Sequence, residues 1–477
     1  MALTLAELVA GKPGPVDMSA NDVMQARLQA DDTTVYVVLD DDPTGTQSVA
    51  GLPVLTHWEV EDFRWAFATG KPAVYVMTNS RSLSPSDAER VNREVVAAAT
   101  QAAGDDIPIA FISRSDSTLR GHFPLEPATI SDELEHAGRR VDGIVIVPAF
   151  GDAGRITIDG VHYAGSPEEG YLPVGETQFA QDATFSYSAS SLPDWVQEKT
   201  GGQVASDDVL LVDLTTLRTN HKDVVAILRK AEHRQPIVVD IVEETDLRLL
   251  ALALIEAESA GSCFVYRVGP PFVRGRIGQA VPSPVALDEV RASRGERDVA
   301  AGGLIVVGSH VDLTTRQLDH LRERNHPVEL ELDVQKVIDP HQRDAHVASL
   351  ASDAVNQLRQ ENVVVRTSRT LVTGVDGDQS LDISRRVSAA VVEVVQRILA
   401  ELAPRFVIAK GGITSSDVAT HGLGFRRAQV VGPMLPGIVS LWSGQDGPAA
   451  GIPYVVFAGN VGGVESLADV DDKLSEA

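Results

Sequence analysis

Val35-Tyr36-Val37-Val38-Leu39-Asp40-Asp41-Asp42-Pro43-Thr44-Gly45-Thr46-Gln47 is the stretch whose reading decides the fold. Its first five residues are apolar at every position rather than at every second one. That pattern suits a strand covered on both faces, as in a parallel sheet. The layout recurs at Ala73-Val74-Tyr75-Val76-Met77, Ile109-Ala110-Phe111-Ile112, Ile144-Val145-Ile146-Val147, Leu210-Leu211-Val212 and Ile237-Val238-Val239. Helical segments separate these runs. Ser86-Asp87-Ala88-Glu89 has capping-box spacing, followed by Val91, Val95 and Ala99 at intervals of four. Residues 245–260 are Leu/Ala-rich and helical in pattern. Alternating strand and helix means α/β.

A second set of strands is expected near 304–307, 328–332, 363–366, 406–409 and 454–457, with the longest helix over about 383–402. Between the two sets, residues 276–302 carry Pro282-Ser283-Pro284 and a mixed-charge run ending at Gly302-Gly303, which reads as a linker. The expected organisation is an arm over 1–30, an α/β domain over 31–275, the linker, and an α/β domain over 303–477. Both domains are expected to have mainly parallel sheets, with the active site in the cleft between them.

Across 477 residues, 41 Lys+Arg against 67 Asp+Glu leave a net charge of −26. A chain this acidic is repelled by phosphate backbones and anionic lipid, so neither nucleic acid nor membrane is an expected partner. The single cysteine, Cys263, excludes an intramolecular disulfide and a cysteine-based zinc site. No signal-peptide pattern opens the chain, and no apolar run approaches the ~20 residues of a membrane span. The expectation is a soluble cytoplasmic protein, with a homodimer as the default assembly.

Ligands of open α/β sheets bind beyond the carboxyl ends of the strands, so the residues that follow each strand carry most weight. Asp40, Asp41 and Asp42 repel one another unless a cation or a donor-rich ligand shares them. They can hold Mg²⁺, accept from hydroxyls or act as a base; the bland alternative is a solvated acidic turn. Thr78-Asn79-Ser80-Arg81-Ser82 closes the next strand, where turn chemistry is an equal explanation. Ser113-Arg114-Ser115-Asp116-Ser117-Thr118-Leu119-Arg120-Gly121-His122 supplies two arginines, an aspartate and four hydroxyls, a cradle for a polyhydroxylated acid. His122 reads as structural. Pro148 to Arg155 follows a further strand. In the second half the corresponding segments are glycine-rich: Gly308-Ser309-His310, Lys410-Gly411-Gly412-Ile413-Thr414-Ser415-Ser416, Gly432-Pro433 with Pro436-Gly437, and Gly459-Asn460-Val461-Gly462-Gly463. Such loops let peptide N–H groups approach phosphate. Neither a Walker A pattern nor a GxGxxG after a strand occurs.

Asp41-Asp42-Pro43-Thr44-Gly45, Asp116-Ser117-Thr118-Leu119-Arg120-Gly121, Lys410-Gly411-Gly412-Ile413-Thr414-Ser415, Pro436-Gly437 and Gly459-Asn460-Val461-Gly462 occur in this order. In that order they resemble the four-carbon acid sugar kinase family over nearly the whole chain after residue 33. The resemblance implies an ATP- and Mg²⁺-dependent kinase for threonate, erythronate or 3-oxo-tetronate. Asp41 and Asp42 would then be catalytic. Thr44, Asn79, Ser80, Arg81, Asp116, Ser117, Arg120 and Arg155 would bind the sugar acid. Ser309, Lys410, Gly411, Gly412, Ile413, Thr414, Gly432, Gly437, Gly459, Asn460 and Gly462 would bind the nucleotide. The metal ligands are left open. A competing reading takes Val37 to Thr44 as the strand-DxDxT start of a haloacid dehalogenase-type phosphatase. There Asp40 would be the nucleophile, Asp42 the acid/base, and Gly377-Asp378-Gln379-Ser380-Leu381-Asp382 the acidic motif.

Overall fold

A computed structural model describes residues 2–294, 297–369, 372 and 377–477. The chain forms two compact units, Met1–Val49 with Trp58–Val281, and Ala50–His57 with Pro282–Ala477.

The first unit is built on seven parallel strands in the order Ala73–Met77, Val35–Asp40, Ile109–Arg114, Phe264–Val268, Gly143–Val147, Gln235–Val239 and Leu210–Val212. Tyr36, Val37 and Val38 are fully buried, as continuous apolar runs require. Register fixes where the polar residues emerge: Asp40 is level with Met77 on one side and Arg114 on the other. The segments after these three strands therefore leave the sheet at the same edge. Phe264–Val268, a strand absent from the sequence expectation, fills the sheet's centre.

Several elements differ from expectation, each for a local reason. The helix Pro85–Ala103 begins before the expected capping box. Its cap is Ser84, whose Oγ accepts from the Asp87 N–H at 3.2 Å, and Pro85 suits the first helical position. A small antiparallel sheet, Arg155–Ile158, Val161–Ser166 and Gly170–Pro173, was not anticipated, because its strands are short and only partly apolar. The presumed arm is packed rather than peripheral. Leu3 pairs with Tyr171, and the helix Ala20–Gln29 buries Val23 with Ala251 and Ile255. The presumed linker is divided. Arg276 is buried in the helix Pro271–Ile277, its guanidinium 4.9 Å from the Tyr36 ring. The helix Leu287–Arg294 buries Val290 in the second unit's core, while residues 295–296 lie outside the described ones.

The second unit has five parallel strands, Val328–Leu332, Val363–Thr367, Leu304–Val307, Val407–Lys410 and Pro453–Phe457, followed by three antiparallel ones, Ile438–Gly444, Arg427–Leu435 and Pro53–Leu55. Gly432 lies inside a strand of this antiparallel ribbon, beside a register shift, and Pro436-Gly437 makes its hairpin turn. Sequence reading expected both as loops after parallel strands; instead 427–435 and 438–444 pair as an antiparallel hairpin that takes up Gly432 at a bulge and Pro436-Gly437 at its turn. Among the described residues no helix is long and apolar enough to cross a membrane.

Pro53–Leu55 is contributed from far away in sequence and pairs with Arg427, Ala428 and Gln429. Leu52, Val54 and Leu55 are at most 1% exposed. A fragment 282–477 should therefore expose a strand edge and an apolar strip, and aggregate. Grafting residues 50–57 onto it should restore a soluble, cooperatively melting unit, checked by size-exclusion chromatography and thermal denaturation.

Candidate functional site

At the carboxyl edge of the first sheet, Asp40 and Asp41 are 1% and 2% exposed. Carboxylates so buried need cations or hydrogen-bond donors. Arg114, the last residue of its strand, supplies the first: its guanidinium contacts Asp40 closely and reaches Asp42 Oδ1 at 3.2 Å. Arg81 supplies the second. Its Nε and Nη2 donate to Asp41 at 3.0 and 2.8 Å, and Nη2 lies 3.0 Å from Asp42 Oδ2. The loops are also joined through backbone, with the Asn79 and Arg81 N–H groups donating to the Asp40 and Asp41 carbonyls at 3.2 and 3.1 Å. Gly45 is required by this packing, since a Cβ there would lie 2.2 Å from Asp40 Oδ1 and 2.4 Å from Arg114 Nε.

The three aspartates are not equivalent. Burial pushes Asp40 up against the opposing pull of Arg114, with Asp42 and Asp41 adding to the rise. Burial also raises Asp42, but Arg81, Arg114 and the Thr44 hydroxyl and N–H outweigh it and bring its carboxyl down to about 2. Asp42 is the most exposed of the three, its side chain 21% accessible. Arg81 further approaches Asp116 at 3.9 Å, and Asp116 accepts from Arg120 Nε at 2.7 Å. Arg81 and Arg120 hold Asp116 well below the usual carboxylate range despite its burial. Arg120 and Arg155 both stand over the Phe179 ring, at 5.5 and 5.6 Å.

Thus Asp41, Asp42, Thr44, Arg81, Asp116 and Arg120 form one hydrogen-bonded and ionic network, with Arg155 joined to Arg120 through Phe179. Ser80 turns inward instead, its hydroxyl donating to Glu126. Ser117 is buried and meets His162 through its carbonyl. Asn79 takes a left-handed φ of 51° at the turn. Glu126, Arg267 and Phe179 escaped sequence reading. Arg267 left a signal, a charge within the apolar run Phe264-Val265-Tyr266-Arg267-Val268, whereas Glu126 and Phe179 left none. His122 is structural as read: its Nε2 lies 3.1 Å from the Ser80 carbonyl oxygen.

The triple aspartate is paired with arginine. The cations that share it are Arg81 and Arg114, and among the described residues no group of three or more His, Cys, Asp or Glu is arranged to hold a metal ion.

In the second unit, Gly308, Ser309, Gly411, Thr414 and Gly459 meet beyond the parallel strands. A Cβ on Gly308 would lie 2.2 Å from Thr414 Oγ1, and one on Gly459 would lie 2.5 Å from Ser309 Oγ. Gly411, at φ 128°, precedes the helix Gly412–Asp417. Gly412 has open space, with nothing within 4 Å of a Cβ, and the adjoining Ile413 is 60% exposed. Gly462, at φ 84°, closes the loop after Gly459 and the exposed Asn460, pinned where Ser466 Oγ accepts from the Gly463 N–H at 2.8 Å. Lys410 is fully buried; its Nζ donates to the Ala458 carbonyl at 2.6 Å above the Phe457 ring, and burial pushes the ammonium down to about 7. Beside these loops lies a cavity of about 170 Å³ lined by Gly308, His310, Val334, Thr367, Val387 and Thr414 among others.

Residues 36–276 match the sugar-binding N-terminal domain, and residues 304–467 the nucleotide-binding C-terminal domain, of four-carbon acid sugar kinases. The chain belongs to the four-carbon acid sugar kinase family. It is 26% identical over 298 residues to a D-erythronate kinase of Heliobacterium modesticaldum, a match spanning 62% of this chain and 60% of that kinase. It is 25% identical over 367 residues to a D-threonate kinase of Salmonella typhimurium, spanning 74% of this chain and 78% of the relative. Two solved structures share the fold. One is a Salmonella typhimurium LT2 protein described provisionally as a tRNA synthase, with TM-score 0.64, 16% identity, and 92% and 98% of the two chains covered. The other is a Haemophilus influenzae protein of the family DUF1537, with TM-score 0.58, 19% identity, and 91% and 99% covered.

The geometry speaks against the phosphatase reading. Asp40, its supposed nucleophile, is buried against Arg114 and Gly45 rather than presented to a phosphate. The side chain of Asp378 lies outside the described residues.

Glu126 gives this site a pH signature. It is 3% exposed, and burial together with the Asp41 charge raises its carboxyl to about 7. An acid raised above its unfolded value binds more protons in the folded state, so stability falls as pH climbs from about 4.5 to 7. Glu126→Gln removes that titration. Urea unfolding at pH 5 and pH 7.5 should show wild type losing about 1–3 kcal/mol more than the variant between the two conditions.

Proposed function

We propose that the protein is an ATP-dependent kinase that phosphorylates a hydroxyl of a four-carbon sugar acid such as erythronate, threonate or a 3-oxo-tetronate. One observation carries the reading. On the sugar-binding portion, the carboxyl ends of a parallel sheet gather arginines, aspartates and hydroxyls; on the nucleotide-binding portion, they gather close-packed glycine loops beside the open Gly412. Those loops, with the adjoining cavity, fit a nucleotide: amides for phosphate oxygens and a partly apolar recess for the base. When bound, ATP supplies the phosphoryl group.

In this reading Arg120, assisted by Arg155, holds the carboxylate. Arg114 is unsuited to that task because Asp40 and Asp42 already occupy it. Asp116 and Thr44 accept from or donate to the substrate hydroxyls. Asp42, reachable and ionised at neutral pH, accepts the hydrogen bond of the attacking hydroxyl and orients it. An acid held near 2 is a weak base, which suits a reaction whose catalysis is chiefly positioning and charge stabilisation. Mg²⁺ travels with nucleotides as their phosphate complex, and no step here assigns it to the acidic turn.

The test is a coupled ADP-release assay on a panel of four-carbon acids. At least one should be phosphorylated. Asp42→Asn should lower kcat by roughly 10²-fold with ATP affinity nearly unchanged. Gly412→Val should fold normally, having room for the side chain, yet weaken ATP and spare sugar-acid binding. ATP-independent hydrolysis of phosphate esters, without kinase activity on any acid, would overturn the proposal.

A further inference from the structure

The loop Asp116-Ser117-Thr118-Leu119-Arg120 is gripped from behind by its own carbonyls. Arg267 donates through Nη1 to the Asp116 carbonyl at 3.4 Å and through Nη2 to the Arg120 carbonyl at 3.3 Å. His162 Nε2 lies 2.8 Å from the Ser117 carbonyl oxygen, and the Tyr187 hydroxyl donates to the Thr118 carbonyl at 2.6 Å. The donors come from separate places: the strand Phe264–Val268, the strand Val161–Ser166 of the small antiparallel sheet, and the segment before the helix Leu192–Lys199.

Leu119 sits in the middle with φ 68°, fully buried. A left-handed leucine costs of order 1–2 kcal/mol and persists only where its surroundings over-determine it. The donors supply that determination. The Ser117 carbonyl can only accept, so His162 Nε2 carries the hydrogen. Nδ1 then accepts from the Thr157 hydroxyl at 2.9 Å. Burial, with Arg267 and Arg155 nearby against Asp116, pushes the imidazole down to about 4, so the ring is a neutral, fixed donor rather than a proton carrier.

We propose that His162 and Tyr187 are positioning residues: acting through the Ser117 and Thr118 carbonyls, they fix where Asp116 and Arg120 meet the sugar acid and thereby set its selectivity. This rests on the reading of the first unit as the sugar-acid half. Both side chains lie outside the nucleotide-binding match, residues 304–467.

The test compares wild type with Tyr187→Phe, His162→Leu and His162→Gln, the last keeping a donor where Nε2 stood. Tyr187→Phe and His162→Leu should each raise the KM for the sugar acid about tenfold, and reduce discrimination between diastereomeric acids. kcat and the KM for ATP should stay within about twofold, and His162→Gln should recover most of the loss. An unchanged KM, a proportionate fall in all parameters, or no rescue by glutamine overturns the proposal. Should His162→Leu fail to fold, Tyr187→Phe decides alone. Should wild type phosphorylate no sugar acid, the functional reading fails separately, and hydrogen exchange decides the positioning role. Faster exchange confined to the amides of 116–121 in the Tyr187→Phe variant supports it, and unchanged exchange there contradicts it.

Discussion

The site depends on pairing three adjacent carboxylates with cations and donors at the buried end of one strand. Unpaired, charges so placed would cost several kcal/mol each. Arg114, at the end of one flanking strand, and Arg81, in the turn after the other, offset that cost, which is why the parallel register matters. Removing either guanidinium would leave a buried charge without its partner. The sheet and the site are therefore one construction: the hydrophobic strands set the level at which the cations and carboxylates emerge.

That pairing also determines which group is available. Asp40 is sealed beneath Gly45, Asp41 is clasped by Arg81, and Asp42 retains a reachable face. Asp116 extends the alternation of charge outward to Arg120. A polyhydroxylated anion would meet a surface whose acceptors and donors are already oriented, so little rearrangement is needed on binding. The second unit uses a different solution for its half: glycines packed against Ser309 and Thr414, with Gly412 left clear. Backbone amides can approach an anion there without side chains in the way.

Much of this was legible in the sequence. Continuous apolar runs such as Val35 to Leu39 gave the parallel strands, and the polar residues immediately after them form the candidate site. Other features had no local signature. Pro53–Leu55 belongs to the second unit because of a pairing with residue 427 onward, a contact that no local pattern encodes. Gly432 looked like a loop glycine because a strand interrupted by glycine and proline loses its period. Arg114 was visible as a cation but not as the partner of Asp40, since their contact spans 74 positions. Glu126 is one of four acids on the helix Leu125–His136; only the fold shows that it faces Ser80 and Asn92 rather than solvent.

The central claim is that the arginine-held network of the first unit receives a four-carbon sugar acid. A crystal structure of the full chain with erythronate and a non-hydrolysable ATP analogue tests it most directly. The account predicts the sugar carboxylate on the Arg120 guanidinium and a hydroxyl within hydrogen-bond distance of an Asp42 carboxylate oxygen. An acid bound away from both, or a phosphate seated on Asp40, would contradict it.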